Sequence, residues 1–103
     1  MPKRSRTLGF STAAILRAID AGRRYGLDIM DATDLASGAV YPALGRLERR
    51  GFVRGKWESD RVARQDARPR RRYYEITKDG RLALAHALER FSSLGRVMEG
   101  REA

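Results

Sequence analysis

Residues 37–53 read Ser37-Gly38-Ala39-Val40-Tyr41-Pro42-Ala43-Leu44-Gly45-Arg46-Leu47-Glu48-Arg49-Arg50-Gly51-Phe52-Val53. This is the pattern of a short helix opened by a Ser/Gly cap, closed by Gly51 and followed at once by the β-forming pair Phe52 and Val53. Val40, Leu44 and Leu47 recur at helical spacing and form one apolar stripe; Tyr41, Arg46, Arg49 and Arg50 lie off it. One face is therefore meant for a core and the other is basic. Pro42 is tolerated best near a helix start, so the first turn is expected to be irregular, with Tyr41 and Pro42 at the leading end.

Upstream, Ser11 and Thr12 offer a cap before Ala14, Ile15, Ala18 and Ile19, and Arg23 and Arg24 suit a C-terminal end, which predicts a first helix from Ser11 to Arg24. Leu27 to Thr33 predicts a short second helix with Ile29 and Met30 inward. Asp28, Asp31 and Asp34 recur at intervals of three, but a helix-start carboxylate and a turn residue explain them better than a metal or acid-base pair. A helix, a turn and the 37–51 helix make a helix-turn-helix.

Downstream, Val53 to Glu58 alternates, with Val53 and Trp57 on one side and Arg54, Lys56 and Glu58 on a wet, mostly basic face. Arg71 to Ile76 alternates again. The two strands, joined by Ser59–Arg70, predict a hairpin too long for a tight turn: a wing. Between Arg54 and Arg72 stand eight cationic residues (Arg54, Lys56, Arg61, Arg64, Arg68, Arg70, Arg71, Arg72) and three acids (Glu58, Asp60, Asp66), a local surplus of +5. Such a charge run is usually a solvated loop, yet beside a basic helix it can straddle a groove and its phosphates. Thr77 with Asp79 signals a last helix, along which Leu84, Leu88, Phe91 and Met98 follow at coiled-coil-like spacing. With the first three helices already sharing a core, this stripe is expected to pair two subunits, in preference to folding back on its own domain.

The chain has 103 residues, 22 Lys+Arg against 13 Asp+Glu, a net charge of +9 and no cysteine. The surplus implies a polyanionic partner or surface, most simply nucleic acid, here double-stranded DNA if the helix-turn-helix is its reader, although a basic protein that is merely soluble would carry the same charge. Lack of cysteine excludes disulfides, thiolate metal sites and redox switches, and fits a cytoplasmic setting. Lys3-Arg4-Ser5-Arg6 before Leu8-Gly9-Phe10 imitates a signal peptide, but Arg17 and Asp20 cut the apolar part short, and no stretch suits a membrane span. A single histidine, His86, on an alanine-rich helix and the lack of a phosphate-binding glycine loop argue against an enzyme, a metal sensor or a cofactor site. The expected organisation is a basic arm over 1–10, a DNA-binding domain over 11–76, and a dimerisation helix and tail over 77–103.

The run Gly38-x-Val40-Tyr41-Pro42-x-Leu44-x-Arg46-Leu47-Glu48-x-x-Gly51-Phe52-Val53 resembles the recognition helix and following strand of the PadR family, bacterial winged helix-turn-helix regulators. Tyr25-Gly26-Leu27-Asp28-Ile29 resembles the start of that family's second helix, though Leu27 replaces an aromatic residue often found there. Arg68-Pro69-Arg70-Arg71-Arg72-Tyr73-Tyr74-Glu75-Ile76-Thr77 resembles its wing and last strand, with one extra basic residue. The resemblance implies a mainly α fold with a small β-hairpin, a homodimer joined through the C-terminal helix (Leu84, Leu88, Phe91, Met98), and a repressor's role. It further implies that Ser37, Gly38, Ala39, Tyr41 and Pro42 approach base edges and that Arg46 lies near the backbone. Lys56, Arg68, Arg70 and Arg71 would meet phosphates or a minor groove. Family members admit small apolar or aromatic effectors between subunits, where Trp57, Leu88 and Phe91 are candidates, although a lone strand Trp is more often a packing residue. Two other readings compete: a nonspecific nucleic-acid-binding or architectural protein, and a winged-helix module that binds protein.

Overall fold

The computed structural model describes residues 7–102, with side chains through Met98. The chain runs α1 (Phe10–Asp20), α2 (Gly26–Thr33), α3 (Ser37–Arg49), β1 (Val53–Trp57), α4 (Asp60–Gln65), β2 (Arg72–Ile76) and α5 (Lys78–Glu102). The mainly helical architecture with one antiparallel hairpin is the winged helix-turn-helix read from the sequence.

Glycines in the left-handed region stop two of the helices. Gly22, at φ 100°, follows α1, and the Arg23 N–H reaches back to the Ala18 carbonyl; α1 thus ends at Asp20, short of the expected Arg24. Gly51, at φ 78°, closes α3 as expected, with the Phe52 N–H bonded to the Leu47 carbonyl at 2.9 Å. The start signals were less accurate. Gly9 caps α1 and Ala36 caps α3, neither through a side chain, so Ser11, Thr12 and Ser37 lie inside their helices. Pro42 also sits within a continuous α3, not in an irregular first turn; the bond it cannot donate is one to the exposed leading end of the helix.

Ile15, Leu16, Ile19, Ile29, Val40, Leu44 and Leu47 bury their side chains together, and Val53 and Tyr74 close that core from the hairpin. Two expectations fail at the core's margin. Leu8, placed in a basic arm, is buried, and its carbonyl accepts a hydrogen bond from the Arg90 guanidinium on α5. Leu84, placed on a subunit seam, is only 4% exposed and packs with the core of its own chain, as does Ala87. Leu88 and Phe91 are partly buried beside them, and the Phe91 ring meets Phe10 edge-on with centroids 5.3 Å apart. The first three helices do not complete the core by themselves, because α1 keeps a face for α5. Farther along α5, Leu94, Val97 and Met98 stand exposed. The arm residues Lys3 to Arg6 lie outside the described residues.

Thr77 fixes the start of α5 twice over: its hydroxyl oxygen accepts from the Gly80 N–H at 3.0 Å and its O–H donates to the Gly51 carbonyl at 2.7 Å. The last helix is thereby pinned to the end of α3.

Candidate nucleic-acid interface

The exposed leading end of α3 carries Ser37, Gly38, Ala39, Tyr41 and Pro42, with Arg46 exposed farther along the helix. Leu44 and Leu47 face inward, so helical periodicity forces these residues outward. Tyr41 is 48% exposed and lays its phenol over the Cα of Gly26, the first residue of α2. A Cβ at Gly26 would fall 2.6 Å from Tyr41 Cζ, so the bare glycine makes room for the ring and ties the two helices of the motif together.

Beside α3 stands the hairpin, in the register Val53↔Ile76, Arg54↔Glu75, Gly55↔Tyr74, Lys56↔Tyr73 and Trp57↔Arg72. Facing pairs in an antiparallel ladder share a side, so Val53, Gly55, Trp57, Arg72, Tyr74 and Ile76 line the core-facing side. Arg72 confirms the direction by donating to Glu48 Oε2 of α3 at 2.7 Å. Lys56 lies on the opposite side and pairs with Glu75 at 2.9 Å, which raises the ammonium's pKa and lowers the carboxylate's. That turns Lys56 away from the side shared with the recognition helix.

Glu58 was expected on the wet face and is instead the buried charge of the hairpin, 6% exposed. Its Oε1 accepts from Arg68 Nη1 and, at 3.0 Å, from the Arg71 N–H. Its Oε2 accepts from Tyr25 Oη and Arg68 Nη2, each at 3.1 Å, and from Arg71 Nη2 at 3.2 Å. A carboxylate can be buried only with such partners. The paired Arg68 guanidinium, above all, holds its carboxyl well below the usual carboxylate range, against the opposing effect of burial. Arg68 also reaches Asp66 at 3.0 Å, and Arg71 stacks on the Tyr25 ring at 3.9 Å.

This clasp revises the sequence reading of the wing. Arg68, expected at a phosphate, is largely committed to Glu58 and closes the hairpin. Arg71 divides itself between Glu58 and Tyr25 and keeps an exposed flank. Arg70 is the most available of the three, with Asp60 at 3.4 Å and Trp57 beneath it. The expected open loop contains a helix of its own, α4, capped by Ser59 accepting from the Val62 N–H at 3.2 Å. Ser59 and Asp60 were visible as a cap and first turn, but a six-residue helix has too little periodicity to announce itself.

Trp57 is not a packing residue of its own chain. Its indole is 55% exposed, while Leu88 and Phe91 pack toward the main core, and the two described clefts are lined by none of the three. The larger cleft, about 1010 Å³, lies between the end of α3 and α5, with Arg50, Phe52, Leu82 and His86 in its wall.

The transcriptional regulator PadR-like family model matches residues 15–86, from α1 through the first turns of α5. The chain belongs to this family. As a PadR-like protein it is a DNA-binding transcriptional regulator. Its fold is that of a PadR family transcription regulator from Clostridium difficile, with a TM-score of 0.79 at 21% identity over 92% of this chain and 100% of that one. A transcriptional regulator from Clostridium thermocellum gives 0.73 at 24% identity, covering 89% of each chain. The transcriptional regulator BldR from Sulfolobus solfataricus gives 0.71 at 25% identity, covering 88% of this chain and 60% of that one. A search of curated proteins found no match. In this PadR-like chain no helix among the described residues is long and apolar enough to cross a membrane.

Proposed function

We propose that this PadR-like regulator is a repressor that binds an inverted-repeat operator as a homodimer in the cytoplasm. The observation that carries the reading is the exposed leading end of α3 standing beside a cationic hairpin that Glu58 holds closed. Ser37, Gly38, Ala39 and Pro42 approach base edges in the major groove, while the hydroxyl of Tyr41 beside them, Arg46, Arg70 and the free flank of Arg71 take phosphates. Gly38 has open space where a side chain would be, which suits close backbone approach. The exposed Leu94, Val97 and Met98 of α5 supply the apolar surface for a second copy. Two such recognition helices, related by a twofold axis, fit half-sites about one helical turn apart.

Gel retention on fragments of the protein's own upstream DNA, titrated against random competitor, tests the reading. Retention of one fragment at two chains per site supports it. Equal loss from every fragment as competitor or salt rises would mark a nonspecific binder instead.

A further inference from the structure

We propose that Trp57 is a DNA-contacting residue of the wing, packing its indole against the sugar edge of the backbone while Arg70 beside it takes the adjoining phosphate. The inference rests on the DNA-binding reading above and adds to it a residue that the sequence had assigned elsewhere.

The core-facing side of the hairpin runs out of the core along its length. Its first pair, Val53 and Ile76, and its middle residue Tyr74 pack with the hydrophobic cluster; its last pair, Trp57 and Arg72, overhangs it. An indole left 55% exposed gains little from its own fold. Two guanidiniums approach that ring, Arg70 at 5.5 Å and Arg72 at 5.4 Å from its centroid. Gly55 allows this: a Cβ there would stand 2.7 Å from Arg72 Cζ, so only the bare backbone lets Arg72 lie across the hairpin between Trp57 and Glu48 of α3. The result is an exposed apolar ring in a cationic frame, on the side of the wing linked to the recognition helix.

The chemistry of that surface matches deoxyribose-phosphate. The ring offers an apolar face for a sugar and its N–H a donor for a phosphate oxygen, and the flanking arginines supply charge. A second copy of the chain is disfavoured there, because the two wings would bring their surpluses of +5 together. An apolar effector would need enclosure, and neither described cleft includes Trp57.

Trp57 is the sole tryptophan, so its fluorescence reports on it alone. Acrylamide quenching should be measured with and without a duplex carrying the upstream fragment, with binding followed in the same samples by anisotropy of labelled DNA. Saturating DNA should lower the quenching constant at least threefold. Binding by anisotropy with an unchanged quenching constant would overturn the proposal while leaving the regulator reading intact; absence of binding would overturn both. Protection that appears with rising protein concentration before DNA is added would place Trp57 in a subunit contact and also overturn it. Trp57→Ala should weaken binding about tenfold without changing the slope of log affinity against log salt, because no charge is lost, whereas Arg70→Ala should reduce that slope by about one. Far-UV circular dichroism of both variants checks that the fold is kept; should Trp57→Ala misfold, Trp57→Phe carries the same comparison.

Discussion

Gly26→Ala separates what Tyr41 does for the fold from what it does for DNA. The added Cβ would lie 2.6 Å from Tyr41 Cζ, 2.7 Å from Cε1 and closer still to the hydroxyl oxygen, and the phenol must retreat by about 1.2 Å for its oxygen to reach ordinary contact at 3.4 Å. The three atoms nearest the methyl all belong to the Tyr41 side chain, and a residue 48% exposed has solvent to swing into. Replacing a helical glycine by alanine favours the helix by up to about 1 kcal/mol, which offsets the lost ring packing. Net stability should therefore stay within about 1 kcal/mol of the parent, a few degrees in Tm. DNA binding should fall much further. A tyrosine hydroxyl donating to a charged phosphate is worth about 1.5–3 kcal/mol, or roughly 10- to 100-fold in Kd. Thermal melts and fluorescence-anisotropy titrations of Gly26→Ala, Tyr41→Phe and the double variant provide the comparison. The two single variants should lose similar affinity, and the double variant little more, because both remove one contact. Parental affinity in a Gly26→Ala protein of unchanged Tm would refute the reasoning. So would a Tm collapse of more than about 10 °C, which would mean that Tyr41 cannot move.

Leu84→Ala should cost about 2–5 kcal/mol in denaturant unfolding by the same amount at every protein concentration, since Leu84 lies in the core of its own chain; a loss seen only on dilution would return it to a subunit seam. Glu58 has a folded pKa below its ordinary value of 4.5, so its contribution is fully present above that value and is lost as pH falls toward the folded one. Glu58→Gln should accordingly be less stable at neutral pH and lose less on acidification below about 4.5; parallel pH profiles for the two proteins would contradict the clasp. Leu94→Asp with Met98→Asp should give a monomer in sedimentation with an unchanged circular dichroism spectrum, and a persistent dimer would move the contact elsewhere.

The parts of the fold legible in the sequence are those governed by local chemistry. Gly51 announced the end of α3, Thr77 the start of α5, and the spacing of Val40, Leu44 and Leu47 the face that turns inward. Failures arose where the deciding partner is distant in sequence. Glu58 looked like a solvent residue because alternation cannot reveal that Tyr25, Arg68 and Arg71 converge on it. Leu84 looked surplus because the stripe on α5 does not say that α1 has a second face free. The exposed leading end of α3 followed from its periodicity, while the division of the wing arginines into clasp and free surface needed three-dimensional geometry. Leu8 belongs to the same group: no periodic pattern precedes α1, and its burial depends on α5 arriving from the far end of the chain.

In the proposed complex two copies of α3 read one twofold-symmetric site. Hydroxyl-radical footprinting of the protein on its retained upstream fragment shows whether they do. Two short protected tracts related by a dyad, their centres about one helical turn apart, are the expected result. A single protected tract, or uniform protection spreading along the fragment as protein is added, would contradict it.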